Sequence, residues 1–342
     1  MTAVELSPVV SSASTPPRLG FLGVGWIGRH RMEALLQSGL VQVAAIADPS
    51  SNVAQEAAKL APDAHLTTSL EALLDLDLDG LVIATPSALH AEQAIAALNA
   101  GLAVFCQKPL GRSAEEAAAV VAAARQADRL LAVDLSYRHT EGMRAVRELI
   151  QTGELGHVFS ADLVFHNAYG PDKPWFYDRR LSGGGCLMDL GVHLVDLALW
   201  TLGFPKVVAI EGHLLAGGRP LQDPGAVEDY ALATLTLEGG VVVRIACSWR
   251  LPAGQDAAIS ATFYGDKGAA EFRNVGGSFY DFTAEHWRGV RRETLVSPPD
   301  AWGGRAAVAW ASRLACDPSF DASADELVTV AQVLDRIYGR AP

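Results

Sequence analysis

The 342-residue chain has few charged residues, and basic residues are the scarcer kind. Asp, Glu, Lys and Arg make up 19% of the sequence, against a typical share of about 25%, whereas hydrophobic residues make up 50%. Such a composition can bury a core and excludes a disordered chain. Because 27 basic residues face 39 acidic ones, the net charge is −12. The basic surface of a phosphate-backbone binder is missing, and we expect no nucleic-acid partner.

Cysteine is also scarce, and no segment resembles a targeting signal. The four cysteines form no C-x-x-C pair, which excludes a disulfide scaffold and the usual zinc spacing and predicts a reduced, cytoplasmic protein. Residues 1–17 contain Glu5 and lack a basic start, so we interpret them as a disordered tail rather than a secretory signal. Apolar runs are interrupted before the roughly 20 residues that a membrane span needs. We therefore expect a soluble protein with no membrane partner.

The first part of the chain alternates short apolar runs with helical segments. The runs cover 18–23, 41–47, 80–85, 102–106 and 130–134. They lack polar alternation, which is typical of strands buried on both faces of a parallel sheet. Helical patterns such as 88–100 and 113–126 lie between them. This order predicts an α/β fold with an N-terminal doubly wound parallel sheet, a Rossmann domain, over residues 18–138.

The pattern then changes to strands with one polar face. Between residues 206 and 294 apolar residues alternate with polar ones, and glycine-containing turns separate neighbouring strands at hairpin spacing. One helix, roughly 186–202, interrupts the strands, and 325–338 predicts a C-terminal helix. We expect residues 139–342 to form a second α/β domain on a mainly antiparallel sheet, for substrate binding and oligomerisation.

Residues 23–28, GVGWIG, match G-x-G-x-x-G directly after the first apolar run. In this motif the first glycine allows a tight turn, the second lets the backbone approach a pyrophosphate, and the third lets the helix pack closely. Asp48 follows 20 residues later, where a carboxylate binds the adenosine ribose and repels a 2′-phosphate. We predict an NAD site, with NADP possible, whose contacts include Gly23, Gly25, Trp26, Ile27, Gly28 and Asp48.

Further candidates lie where the predicted parallel strands end, the edge at which open α/β sheets bind ligands. Thr85, Pro86 and His90 stand at the end of the third run, and Gln107 and Lys108 follow the fourth. We predict that they line the cofactor crevice. A solvated loop lysine and a helix-surface histidine are the alternative interpretations.

Asp189 and His193 are four residues apart in the predicted helix after the glycine run 183–185. That spacing places both on one helix face, where a carboxylate can orient an imidazole and raise its basicity for acid/base work. A structural Asp–His pair is the alternative, and we expect no metal because a third ligand would have to come from elsewhere. Trp175 begins an aromatic and basic stretch that suits a sugar-like ligand, although a buried loop anchor has the same pattern.

Four segments together resemble the glucose-fructose oxidoreductase, inositol 2-dehydrogenase and rhizopine catabolism (Gfo/Idh/MocA) family. They are GVGWIG (23–28), TPSALH (85–90), QKPL (107–110) and GGGCLMDLGVHLVD (183–196). The resemblance covers nearly the whole chain from Arg18. It implies a Rossmann domain, a C-terminal α/β domain with a large open sheet, and pyranose or cyclitol oxidoreduction with a nicotinamide cofactor. It also implies that Lys108 is the catalytic lysine, Asp189 the helix aspartate and His193 the acid/base histidine.

One position departs from the family pattern. Gln107 stands where the family usually has glutamate before Lys-Pro. A neutral amide can still hydrogen-bond a ribose or nicotinamide group, but it removes a negative charge beside Lys108.

The sequence thus predicts hydride transfer between NAD(H) and a secondary alcohol of a sugar, sugar derivative or inositol, with Lys108, Trp175, Asp189 and His193 at the substrate. His193 would take the hydroxyl proton, Lys108 would stabilise charge on the oxygen, and Asp189 would orient the imidazole. One alternative is a lyase or glycosidase that oxidises the sugar transiently and retains its NAD. Another is a non-enzymatic sensor, for which three catalytic residues would be superfluous.

The alternating sheet also predicts self-association. A monomer rarely exposes a large apolar sheet face, so we expect a homodimer or homotetramer built through that face. Tyr230 and Trp249 are among the large residues available for burial there.

Overall fold

A computed structural model describes residues 15–223 and 225–340, so most of the tail predicted over 1–17 lies outside the described residues. The strands of the first sheet are β1 (Arg18–Leu22), β2 (Gln42–Ala47), β3 (His65–Thr67), β4 (Gly80–Ile83), β5 (Ala103–Cys106) and β6 (Leu131–Val133). They are all parallel, in the order β3-β2-β1-β4-β5-β6. This doubly wound order confirms the predicted Rossmann sheet. The short, polar β3 was not predicted.

Helices cover both faces of this sheet. They are α1 (Trp26–Ser38), α2 (Ser51–Ala58), α3 (Leu70–Leu74), α4 (Ser87–Asn99) and α5 (Ala114–Ala127). Successive strand residues point to opposite faces, so Phe21 packs with α1 and α2 while Leu22 packs with α4 and α5. At the start of α5, Ser113 Oγ accepts the Glu116 N–H at 3.2 Å, which is one half of a capping box. The Glu116 carboxylate binds Arg112 instead of completing the box.

The second sheet is larger and mixed. Its strands are β7 (Val158–Asn167), β8 (Val207–Ala216), β9 (Arg219–Pro220), β10 (Tyr230–Leu237), β11 (Val242–Ser248), β12 (Ala257–Gly265), β13 (Ala269–Asn274), β14 (Phe282–Arg288) and β15 (Arg291–Val296). They run in the order β15-β14-β13-β12-β7-β11-β10-β8-β9. The β7–β11 pair is parallel and the other described pairs are antiparallel, which confirms the mainly antiparallel prediction. The central strand β7 precedes the region in which strands were expected.

The helices that follow the first sheet in the chain cover the inner face of the second sheet, and the last two also pack against the first sheet. They are α6 (Glu141–Gln151), α7 (Arg179–Ser182), α8 (Val192–Leu202), α9 (Arg305–Cys316) and α10 (Asp325–Ile337), with one π-helical turn (Leu187–Gly191) before α8. The helical stretch 179–202 is long and apolar enough, by length and composition, to cross a membrane, although Arg179, Arg180, Asp189 and Asp196 interrupt its apolar residues. Because 83% of its most apolar window is buried inside the fold, it is a core element.

The last two helices cross the predicted domain boundary. In α9, Trp310 packs on Phe105 of β5 with ring centroids 5.7 Å apart, within the core of the first sheet. In α10, Leu327 lies against the α4–α5 side of the first sheet, while Leu334 belongs to the core of the second. A boundary at residue 138 therefore separates the two sheets, but the chain beyond it contributes to both cores.

Candidate active site

Lys108 and Asp189 meet where the two domains face each other. Lys108 follows β5, and Asp189 lies in the π-helical turn, a feature often found at functional sites. Lys108 Nζ lies 2.6 Å from Asp189 Oδ1 and 2.9 Å from the Asp189 carbonyl oxygen. The two side chains retain 20% and 15% of their exposure, so the ion pair is shielded yet reachable by a ligand. The sequence prediction placed both residues at one site, and the fold brings them together.

Trp249 completes the environment of Asp189. Its indole Nε1 donates to Asp189 Oδ2 at 3.1 Å, and the ring is 3% exposed. This corrects the expectation that Trp249 lies on the outer sheet face, because the residue follows the alternation of buried Ile245 and Cys247 and so faces inward. Tyr230 does lie on the outer face, where its ring stacks on His166 at 5.7 Å.

The aromatic stretch after β7 packs beside Trp249. The rings of Phe176 and Tyr177 meet Trp249 edge-on at 6.3 and 5.6 Å. Trp175 stacks on Phe176 at 3.8 Å and is half-buried. Phe176 therefore separates Trp175 from Trp249, the residue that binds Asp189. An aromatic ring in this position suits an amphipathic ligand.

His193 is buried in α8, with its ring edge-on to Tyr137 at 5.0 Å. Its pKa lies well below the ordinary value of 6.5, because burial disfavours the imidazolium and the positive charges of Lys108 and Arg31 oppose it further. The imidazole is therefore neutral at pH 7 and can accept a proton. Within the described residues no hydrogen bond joins His193 to Asp189, whose two carboxylate oxygens bind Lys108 and Trp249. The expected orientation of the imidazole by Asp189 is not found, since the π-turn between them disturbs simple helical spacing.

The glycine run before the π-turn is needed for close packing. A Cβ would lie 2.8 Å from Arg112 Cβ at Gly183, 2.0 Å from the Tyr338 hydroxyl at Gly184 and 1.9 Å from the Glu228 carbonyl oxygen at Gly185. Any larger residue would push the turn that carries Asp189 out of place.

Glu228 and Tyr338 anchor this turn, and sequence reasoning missed both. Glu228 Oε1 accepts the N–H groups of Gly185 and Leu187, both at 2.9 Å, and the Tyr338 hydroxyl at 2.8 Å. Burial raises the pKa of Glu228 in spite of these bonds. Glu228 is 43 positions from Gly185 and 110 positions from Tyr338 in the sequence, so no short sequence motif predicts these contacts.

The glycine loop after β1 fits a dinucleotide. Gly23 has φ of +84°, and a Cβ on Gly28 would lie 2.2 Å from the Gly23 carbonyl oxygen. A Cβ on Gly25 would meet nothing within 4 Å, so the space above the N-terminus of α1 is open to a pyrophosphate. Asp48 accepts the N–H groups of Val24 and Ser50 at 3.0 and 2.9 Å, which fixes its carboxylate beside the loop.

An open groove of about 520 Å³ continues from this loop. Its lining includes Val24, Gly25, Trp26, Arg29, Asn52 and Val53. Trp26 is 70% exposed and Ile27 is half-buried, so a ligand in the groove can contact both side chains.

Gln107 sits in a buried polar network. Its Nε2 donates to Asp134 Oδ2, which also accepts Arg31 Nε at 2.6 Å. A glutamate at position 107 would place a second carboxylate against buried Asp134, which would favour protonation of one of them. The amide therefore fits this environment better than the family's usual residue.

His90 has a different role from the one predicted. It is 1% exposed, and its ring nitrogens lie 2.7 Å from the carbonyl oxygens of Pro109 and Thr85. It ties together the two loops at the crevice and cannot offer a free ring nitrogen to a cofactor. Thr85 Oγ1 donates to Gln93 Oε1 at 2.5 Å, and Pro86 occupies the N-cap position of α4 without a side-chain capping bond.

Across 15–223 and 225–340, no cluster of three or more His, Cys, Asp or Glu side chains could hold a metal ion. All four cysteines are unpaired thiols, although Cys186 and Cys247 bring their Sγ atoms to 4.0 Å.

Comparison with known proteins gives matches over most of the chain. Residues 18–135 match the family described as "Oxidoreductase family, NAD-binding Rossmann fold", and residues 143–271 match "GFO/IDH/MocA C-terminal domain". D-glucoside 3-dehydrogenase of Escherichia coli (strain K12) is 28% identical, covering 75% of this chain and 77% of that protein. Inositol 2-dehydrogenase of Leifsonia xyli subsp. xyli (strain CTCB07) is 29% identical, covering 84% and 88%.

A solved structure is similar over both domains. GenD2 from gentamicin A biosynthesis, in complex with NAD, superposes with a TM-score of 0.80 and 26% identity, covering 98% of this chain and 96% of that one.

Two glycine substitutions should separate cofactor binding from folding. Gly25→Ala adds a Cβ in open space, so the melting temperature should stay unchanged while the Kd for NAD rises about tenfold. Gly28→Ala drives a Cβ into the Gly23 carbonyl and should cost about 1–3 kcal/mol of stability. Calorimetry and fluorescence titration measure both effects. Wild-type NAD affinity in Gly25→Ala would contradict the placement of the pyrophosphate.

The pKa of His193 should respond to its cationic neighbour. We expect the imidazole to protonate only as the pH falls below 6.5, and Lys108→Met should raise its pKa because a positive charge is removed. NMR of ¹³C-labelled histidine, with the His193 signal assigned by its loss in His193→Asn, measures both. An unchanged pKa in Lys108→Met would show that the two side chains are not electrostatically coupled.

Proposed function

The chain belongs to the Gfo/Idh/MocA family of NAD-binding oxidoreductases, and on that premise we propose that it transfers a hydride between NAD(H) and a secondary alcohol of a sugar, sugar derivative or inositol. The family match confirms the predicted class of enzyme and cofactor. The observation that carries the proposal is that Lys108, paired with Asp189 at the ligand-binding edge of the Rossmann sheet, lies close enough to the buried His193 for its charge to lower the pKa of the imidazole. Alcohol oxidation needs both groups at one oxygen atom.

The residues that would hold the cofactor form one surface. The Gly23–Gly28 loop and the N-terminus of α1 suit the pyrophosphate, and Asp48 suits the ribose hydroxyls. When bound, NAD supplies the hydride acceptor. Because the Asp48 carboxylate would repel a 2′-phosphate, we propose that NAD is preferred over NADP.

Two side chains act on the substrate hydroxyl. His193, neutral at pH 7, accepts its proton. The Lys108 ammonium donates to the same oxygen and stabilises the negative charge that develops there. Asp189, held by Trp249, orients the ammonium rather than the imidazole. The half-buried Trp175 ring offers an apolar surface to the sugar.

A substrate panel tests the function. We expect NADH to accumulate when the wild type is mixed with NAD and one of methyl β-D-glucoside, D-glucose or myo-inositol, with lower kcat/KM for NADP. His193→Ala and Lys108→Ala should each lower kcat about 100- to 10,000-fold while the Kd for NAD stays within about threefold. His213→Ala removes an exposed histidine and serves as the control. Full turnover in His193→Ala would require another base.

We further propose a cytoplasmic homodimer or homotetramer formed through the outer face of the second sheet. On this face Leu232, Ala246, Val164 and Ser260 pair in an uncharged row across four strands. A buried two-fold contact suits such a row.

Light scattering tests the assembly. The wild type should give at least a dimer mass at micromolar concentration, and Val164→Arg should give a monomer because it places a charge inside the contact. Val290→Arg, on a fully exposed turn, should leave the mass unchanged. A monomeric wild type would refute the proposal.

A further inference from the structure

Arg340 joins two loops that belong to different domains. Its Nη1 donates to the Arg112 carbonyl oxygen at 2.8 Å, and its Nη2 donates to the Gly183 carbonyl oxygen. Asp335 Oδ1 holds the same guanidinium at 2.9 Å, and the side chain is only 23% exposed. A planar guanidinium with a fixed fork of donors can hold two carbonyl groups at a set separation.

Both loops lead directly to the active site. The Arg112 loop begins at Lys108, four residues earlier, and the Gly183 loop continues into the π-turn with Asp189. The Lys108–Asp189 ion pair also bridges these loops, as does the hydrogen bond that Arg112 Nη1 donates to the Arg180 carbonyl oxygen at 2.5 Å. Arg340 itself makes no described contact with Lys108, Asp189 or His193.

The neighbours of Arg340 strengthen the same link. Asp335 Oδ2 accepts the Ala114 N–H at 2.7 Å, which attaches the C-terminal segment to the start of α5. The Arg340 Cζ atom lies 4.3 Å from the centroid of the Tyr338 ring. The Tyr338 hydroxyl donates to Glu228, and Glu228 accepts the backbone N–H groups of Gly185 and Leu187 in the turn that carries Asp189. The C-terminal segment 335–340 thus binds the loop of each catalytic partner.

From this arrangement we propose that Arg340 is a positioning residue: it sets the separation of the Lys108 and Asp189 loops and thereby aims the Lys108 ammonium at the substrate oxygen. The proposal rests on the proposed function for its catalytic consequence, but the loop restraint itself is independent of substrate. Misplacement of a reacting group by about 1 Å can cost up to about 100-fold in rate.

The experiment compares Arg340→Ala, Arg340→Lys and Arg336→Ala in the 342-residue chain. Arg336 is the matched control, since it lies in the same segment and donates to one carbonyl, that of Val207, within the second domain. We expect Arg340→Ala to lower kcat about tenfold with the KM for NAD and the NAD Kd within about twofold. Arg340→Lys should recover part of the loss, and Arg336→Ala should keep kcat within about twofold.

Hydrogen exchange of residues 183–191 gives a second readout that needs no substrate. Exchange there should accelerate in Arg340→Ala and not in Arg336→Ala. A variant that melts earlier but keeps wild-type kcat and wild-type exchange would overturn the proposal, as would equal losses of kcat in Arg340→Ala and Arg336→Ala. If the wild type oxidises no sugar or inositol, the proposed function fails, and the exchange data alone then decide whether Arg340 restrains the loops.

Discussion

The ion pair between Lys108 and Asp189 is the constraint around which the site is built. Its two halves come from parts of the chain that fold onto different sheets, so the pair forms only when the Rossmann domain and the second domain are docked. The docking is itself extensive, because α9 packs on the first sheet and α10 on both cores. The catalytic geometry of this molecule therefore depends on the packing of its two domains.

The charges that act on His193 are positive, whereas the net charge of the protein is negative. The chain has a net charge of −12, yet the groups that act on His193 are the cations Lys108 and Arg31. Buried Asp134 accepts Arg31 and Gln107 together, which makes the burial of that arginine tolerable. The result is a neutral imidazole within the electrostatic influence of a cation, the combination that proton removal and oxyanion stabilisation need.

Local signals allowed the Rossmann sheet, the GVGWIG loop and the helices around the site to be predicted, because hydrophobic periodicity and glycine spacing are properties of short segments. The partner of Asp189 could not be predicted in this way. Helical spacing suggested His193, but a π-turn and two long-range contacts, Lys108 and Trp249, decide where the carboxylate points. Likewise the roles of His90 and Glu228 depend on backbone atoms of distant loops, which no sequence window contains.

Hydride transfer to a dissociable cofactor is the central claim, and the fate of a deuterium label tests it most directly. The sugar or inositol that supports turnover is supplied with deuterium at its alcohol carbons, and the released cofactor is analysed by mass spectrometry. Direct transfer predicts NADH that carries deuterium and accumulates in step with the ketone product. Deuterium that returns to the sugar product, with no free labelled NADH, would contradict the account and identify an enzyme that retains its NAD through a transient oxidation.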